Sequence, residues 1–185
     1  MHDSRLERLA EILVDHSCEI TDGEKVLIEA FDLPSPDIVC RLVELVSLRG
    51  GIPLVSSKSN AVLRSLYRNG TPEGMTLNGE LERNRMEQMD AYIGIRGAAN
   101  SSQFSDVPQH KMDLYQKHWW YPVHSEIRVP KTKWVVLRYP TPSMAQAAEM
   151  SCEAFENFYF DVCTADYVQM AKDQAPLVDR MEAAD

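Results

Sequence analysis

Four short stretches in close succession constrain the fold of this chain more than anything else in it: Lys25 to Ala30, Ser35-Pro36-Asp37, Gly50-Gly51 and Ile52-Pro53-Leu54-Val55. The first (Lys-Val-Leu-Ile-Glu-Ala) is a brief apolar run after the turn Thr21-Asp22-Gly23-Glu24, the pattern of a short buried strand. Ser35-Pro36-Asp37 opens a helix: Ser accepts from orphan backbone N–H groups, Pro has the φ of a first turn, and Asp suits the positive end of the helix dipole. Ile38, Leu42, Leu45, Val46 and Leu48 supply its buried stripe, and Gly50-Gly51 stops it. A second strand follows, confined by Pro53 to a strand start or a sheet edge. Strand, crossover helix, strand specifies parallel pairing with a right-handed connection. The expected fold is therefore α/β, a three-layer sandwich with a mainly parallel sheet flanked by helices, Rossmann-like and doubly wound, with a helical C-terminus.

The remaining chain fits around that unit as one domain over residues 1–185. Leu6, Leu9, Ala10, Leu13 and Val14 give residues 4 to 16 an amphipathic helical stripe that Asp3 or Ser4 can cap. Residues 59 to 69 form a further helix, Thr71 to Gly79 a glycine-rich loop free to move over a neighbouring surface, and Glu80 to Met89 a polar helix. Ala91 to Ile95 is the next strand, and Arg96-Gly97-Ala98-Ala99-Asn100 follows it. Ligands of open α/β sheets bind beyond the carboxyl ends of strands, which makes Arg96 and Asn100 pocket candidates, with a plain surface turn as the alternative. Asp106-Val107-Pro108 starts a helix through about His118. Trp119, Trp120 and Tyr121 then follow as three adjacent rings that cannot all face one core. Val123 to Val129 reads as a short irregular or strand segment. Trp134 to Leu137 is the last strand, ended by Pro140 and Pro142. Ser143-Met144-Ala145-Gln146 fits a capping box, and Ser151 caps a last aromatic helix with the stripe Phe155, Phe158, Tyr159 and Val162.

Charge narrows the function classes. The net charge is −9, of which residues 141–185 carry −7 and residues 1–140 only −2. With no Lys/Arg cluster, the footprint of phosphate-backbone binding is missing, so nucleic acid is not an expected partner. No window approaches the ~18 apolar residues of a membrane span. Four dispersed cysteines and a charged N-terminal segment without signal-peptide character point to a cytoplasmic protein with reduced thiols.

No complete active site is visible. His110, His118 and His124 lack the i, i+4 spacing that sets two imidazoles on one helix face, and they read as scattered surface histidines. The chain holds no dinucleotide or Walker-type glycine motif and no nucleophile elbow. The glutamate groups Glu80, Glu82, Glu87 and Glu149, Glu153, Glu156 have the spacing of solvated helix faces.

A longer pattern is specific. Trp134, Tyr139-Pro140-Thr141-Pro142-Ser143-Met144-Ala145-Gln146-Ala147, Met150-Ser151, Phe155 to Phe160 and Asp166-Tyr167 resemble the N-terminal half of the aminopeptidase T family of metallo-aminopeptidases. The resemblance continues upstream through Gly23 to Ile28, Gly50-Gly51-Ile52-Pro53, Tyr92 to Arg96, Asn100, Asp106-Val107-Pro108 and Pro122-Val123-His124. It implies an N-terminal α/β domain followed by a catalytic domain that binds two divalent metal ions, with oligomerisation enclosing the site. In that family the metal ligands and the catalytic acid belong to the C-terminal half, so none is assigned to this chain. Where a family glycine is expected, Glu149 stands. A Glu at positive φ costs on the order of 1 kcal/mol, so the turn there is expected to differ.

The expected function is thus the non-catalytic N-terminal domain of a metal-dependent aminopeptidase, inactive alone, partnered by its catalytic domain and by further copies of itself. Its substrate-cleft or interdomain candidates are Arg96, Asn100, Trp119, Trp120, Tyr139 and Gln146. One alternative is a stand-alone interaction or regulatory module using Trp119, Trp120 and the acidic C-terminal helices; another is a small-ligand domain built on Arg96 and Asn100.

Overall fold

The computed structural model describes residues 3–184; Met1, His2 and Asp185 lie outside the described residues. Helix α1 (Ser4–Glu11) is capped by the Asp3 carboxylate, which accepts from the Arg5 N–H. It runs on π-helically through Ile12–Ser17, so the first helix outlasts its expected end. Then follow β1 (Lys25–Phe31), α2 (Asp37–Leu48), β2 (Ile52–Lys58), α3 (Asn60–Asn69), α4 (Pro72–Met86) and β3 (Ala91–Arg96). A long helix begins as α5 (Gln109–Tyr115), continues π-helically over Gln116–Arg128 and ends in α6 (Val129–Lys131). Strand β4 (Lys133–Arg138), α7 (Pro142–Ala147), α8 (Cys152–Cys163) and α9 (Tyr167–Glu182) complete the order.

All strand pairs are parallel, in the order β2-β1-β3-β4. Pro53 sits on edge strand β2, as its missing N–H requires. Strand order reverses between the first crossover and the next two. A single handedness of crossover then demands that the helices change face at that point, and they do. Val26, Ile28, Ile93 and Ile95 pack on one face with Leu9, Leu13, Leu42, Val46, Phe155 and Tyr159, from α1, α2 and α8. Leu27 and Tyr92 pack on the other with Leu63, Met75, Met86, Trp119, Val123 and Ile127, from α3, α4 and the long helix. This is the doubly wound three-layer sandwich expected from the sequence.

Several local expectations give way. Thr71 to Gly79 is helical, because Thr71 Oγ1 accepts from the Gly74 N–H and Pro72 occupies the first turn. Gly79 belongs to the packing: a Cβ there would lie 2.1 Å from the His118 carbonyl oxygen, so its absence lets α4 lie directly on the long helix. Val123 to Val129 is helical too. Its turns are wide, as in the bond from the Val129 N–H to the His124 carbonyl. Trp119, Val123 and Ile127 then bury one row at a spacing of four, while Tyr121 is 52% exposed. Ser143 is not an N-cap: helix α7 starts after Thr141, and Ser143 Oγ donates to the Ala98 carbonyl at 2.6 Å. In α8, Ser151 caps as expected, but the buried face is Phe155, Tyr159 and Phe160, with Phe158 and Val162 exposed. Glu149 adopts φ 56°, so the left-handed turn expected of glycine is kept by a glutamate.

The Gly79 contact reverses the usual sign of a helix substitution. In an exposed helix, Gly→Ala stabilises by about 1 kcal/mol. Gly79→Ala is expected instead to destabilise by about 1–3 kcal/mol, through the overpacked contact with His118. A fall in the midpoint of urea unfolding measures it; a rise would show that the helices separate freely.

Candidate functional site

The parallel register builds a row across the carboxyl edge of the sheet. Lys58 pairs with Phe31, Phe31 with Arg96 and Arg96 with Arg138, each the last residue of its strand. The row lies where strand order reverses, the position at which loops diverge and leave a crevice. A cavity of about 350 Å³ opens there, lined by all four residues together with Glu29, Asn60, Tyr67, Asn100, Tyr115, Trp119, Trp120 and His124.

Its floor is a buried carboxylate. Glu29 lies two residues before Phe31 on β1 and is only 2% exposed. Lys58 Nζ approaches its Oε1 at 2.7 Å, and the Tyr92 hydroxyl donates to its Oε2 at 2.8 Å. Lys58 also meets Glu82 Oε1 at 3.0 Å, and Arg85 joins Glu82 at 2.5 Å and Glu29 at 3.5 Å. Burial pushes the Glu29 carboxyl up, but the Lys58 charge and hydrogen bond and the Tyr92 hydroxyl outweigh it and hold the group below the ordinary glutamate value. Burial and the adjacent Glu29 charge raise Tyr92 well above the ordinary phenol value, so it remains a donor. Gly94 makes the contact possible: a Cβ there would come within 2.8 Å of the Tyr92 ring.

The wall comes from the long helix. Arg128 Nε donates to His124 Nδ1 at 3.0 Å, which leaves Nε2 as the protonated nitrogen of a neutral ring. Burial, then the Arg128 cation, pulls His124 down to about 4, against a smaller opposing pull from Glu29; Arg96 and Lys58 act with Arg128. Arg128 is itself buried and lies over the Trp134 ring at 4.4 Å. Trp120 tilts against His124 at 5.6 Å, and Trp119 meets Tyr67 and Tyr115 edge-on at 5.9 and 5.8 Å.

Four of the six residues singled out in the sequence meet here: Arg96, Asn100, Trp119 and Trp120. Asn100 Oδ1 also accepts from the Ser102 N–H at 2.9 Å and so shapes the loop after β3. Trp119 is buried in the cavity wall and not on the outer face, which removes it from the protein-partner surface of the interaction-module alternative. Tyr139 lies on the opposite face of the sheet, 6.5 Å from the Tyr159 ring, and Gln146 is exposed on α7; neither lines the cavity. Sequence reasoning missed Glu29, Lys58, Tyr92, Arg138 and His124, and it placed His124 on the surface. Two signals were available: a lone carboxylate inside an otherwise apolar strand, and the spacing of four along Trp120, His124 and Arg128.

The arrangement does not suit a metal ion. Among the described residues no three His, Cys, Asp or Glu side chains group as a metal site. Glu29 is already engaged by a cation, and His124 Nδ1 by a guanidinium. Lys58, Arg96 and Arg138 together oppose a further cation at this spot.

The fold and this cleft define the class: a doubly wound α/β domain with a switch-point cavity and no metal-ligand set of its own among the described residues. The chain belongs to the family described as thermophilic metalloprotease (M29), which matches residues 2–176. No curated protein matches it. Among solved structures it is similar to wild-type AmpT from Thermus thermophilus, with TM-score 0.63 and 16% identity over 87% of this chain and 43% of that one. At that identity the likeness shows the fold alone, and this chain spans less than half the length of that protein. A CurK enoyl reductase is also similar at 15% identity, covering 77% of this chain and 44% of that one, but its TM-score of 0.34 carries no weight.

The buried histidine gives the site a pH signature. The unfolded chain protonates His124 near its ordinary 6.5 while the folded cleft resists protonation to about 4. The unfolded state then binds more protons within that interval, and stability falls as pH drops from 6.5 toward 4, by on the order of 2–3 kcal/mol. Glu29, held low, adds its loss only below the ordinary glutamate value. His124→Gln keeps an acceptor for Arg128 and is expected to flatten unfolding free energy between pH 6.5 and 4.5. An unchanged slope in the variant would mean that His124 titrates normally.

Proposed function

We propose that this chain acts as the non-catalytic N-terminal domain of a metal-dependent aminopeptidase that removes N-terminal residues from peptides. In this reading the two metal ions and the catalytic acid sit in a separate catalytic domain, and homo-oligomerisation encloses the site. The observation that carries it is the family match over residues 2–176 combined with a cleft whose carboxylate and imidazole are already committed to cations. In the parent enzyme metals would activate a water for attack on the first peptide bond; this chain contributes an aromatic-walled, cationic cleft beside it. The reading places the peptidase in the cytoplasm; no helix among the described residues is long and apolar enough to cross a membrane.

The interaction-module alternative has one observation in its favour. Helix α9 has no buried residue, and Val168, Leu177, Val178 and Met181 lie exposed along it. The same surface serves equally as a seat for a catalytic domain.

The chain of 185 residues is expected to bind no stoichiometric divalent metal and to show no turnover of unblocked dipeptides, by elemental analysis and amine release after incubation with Co²⁺, Mn²⁺ or Zn²⁺. Stoichiometric metal accompanied by turnover would overturn the reading.

A further inference from the structure

Arg96 and Arg138 are Cα partners at the ends of adjacent parallel strands, and both line the cavity. Strands in a sheet lie about 4.8 Å apart, so two guanidinium groups start from neighbouring positions on one face. Like charges placed directly opposite destabilise a sheet. Among the described residues no carboxylate pairs with either one, although other arginines of this acidic chain, including Arg5, Arg49, Arg64 and Arg83, have carboxylate partners. Lys58 completes the row but is committed to Glu29 and Glu82. Phe31 sits between the cations, with Lys58 5.7 Å and Arg96 5.5 Å from its ring. The cleft therefore carries an uncompensated positive charge inside a chain of net charge −9.

That pattern asks for an anion, and the walls say which kind. Paired guanidinium groups present planar forks of donors that match an oxyanion. Trp119, Trp120 and Tyr115 beside them are apolar and aromatic, which favours an organic acid with a side chain over a bare inorganic ion. We propose that this cleft binds the C-terminal carboxylate of short peptides, with Arg96 and Arg138 as the carboxylate clamp and the Trp119 and Trp120 wall taking the adjoining side chain. The choice of a peptide over another organic acid rests on the aminopeptidase reading above; the clamp itself rests on the row of cations. The non-catalytic domain thereby holds the end of a peptide opposite the one that is cleaved.

Calorimetric titration of the 185-residue chain with Ala-Phe, with its C-terminal amide and with inorganic phosphate tests this. Ala-Phe is expected to bind at least tenfold more tightly than the amide and more tightly than phosphate. Arg96→Ala and Arg138→Ala should each lose at least tenfold in affinity while melting at the wild-type temperature or above it, since each removes a like-charge neighbour. Loss of binding with unchanged or raised stability separates a clamp from a structural role. Equal binding of acid and amide, no binding of Ala-Phe, or phosphate binding as tightly as the dipeptide would each overturn the proposal. Turnover of the peptide by the chain would instead overturn the non-catalytic reading and leave the clamp standing.

Discussion

The Glu29 carboxylate is the constraint on which the arrangement of the cleft depends. An ionised group buried in a central parallel strand costs several kcal/mol in lost hydration, and that cost is offset only by well-placed partners. Here the partners come from three other elements: Lys58 from β2, Tyr92 from β3 and Arg85 from α4. Satisfying one charge therefore fixes the relative placement of four elements at the carboxyl edge of the sheet. A buried ion pair is weak grounds for claiming added stability, because an apolar replacement of the same shape is often as stable. Its effect is on specificity: Lys58 is drawn down to the floor, and Arg96 and Arg138 remain the cations of the row with no carboxylate among the described residues.

The same logic explains the asymmetry between the two faces of the sheet. The face covered by α1, α2 and α8 is an apolar core of Val, Ile, Leu and Ala with the rings of Phe155, Tyr159 and Phe160. The other face carries Glu29, Tyr92 and a cavity, and α3, α4 and the long helix pack around these rather than over them. Close approach at Gly79 lets α4 press on the long helix and bring Glu82 and Arg85 to the floor, while the wide turns of that helix place His124 and Arg128 one row from the buried Trp119. Both faces thus carry buried apolar core, and the cleft opens on only one of them.

Much of this was legible in the sequence. The strand-helix-strand unit, the confinement of Pro53 to a strand start or a sheet edge, a first-helix cap at Asp3 or Ser4, the cap at Ser151 and the place of β3 all follow from local chemistry, and together they define the fold class. Arg96 and Asn100 were legible because a strand end is a known place for ligands. What stayed hidden depended on register or on departures from ordinary helical periodicity. Arg138 becomes a site residue only when β4 is aligned on β3, which no local pattern reveals. Residues 123–129 escaped as helix because Pro122 and a period near four match neither an ordinary helix nor a strand. Thr71 to Gly79 escaped because Thr71 and Pro72 start a helix there and Gly79, read as a loop former, serves as a contact surface. Gln146 and Tyr139 came from the family pattern, and the structure places them away from the cleft that the other four share.

Glu29 and Lys58 act as one coupled unit that sets the floor of the cleft. A double-mutant cycle of Glu29→Gln and Lys58→Met, read by urea unfolding at pH 7, isolates that coupling. The expected interaction energy is about 1–3 kcal/mol, with the double variant far less destabilised than the two single effects added together. Additive losses with negligible coupling would contradict it, showing that the two residues contribute separately and that the cleft takes its shape from the apolar packing alone.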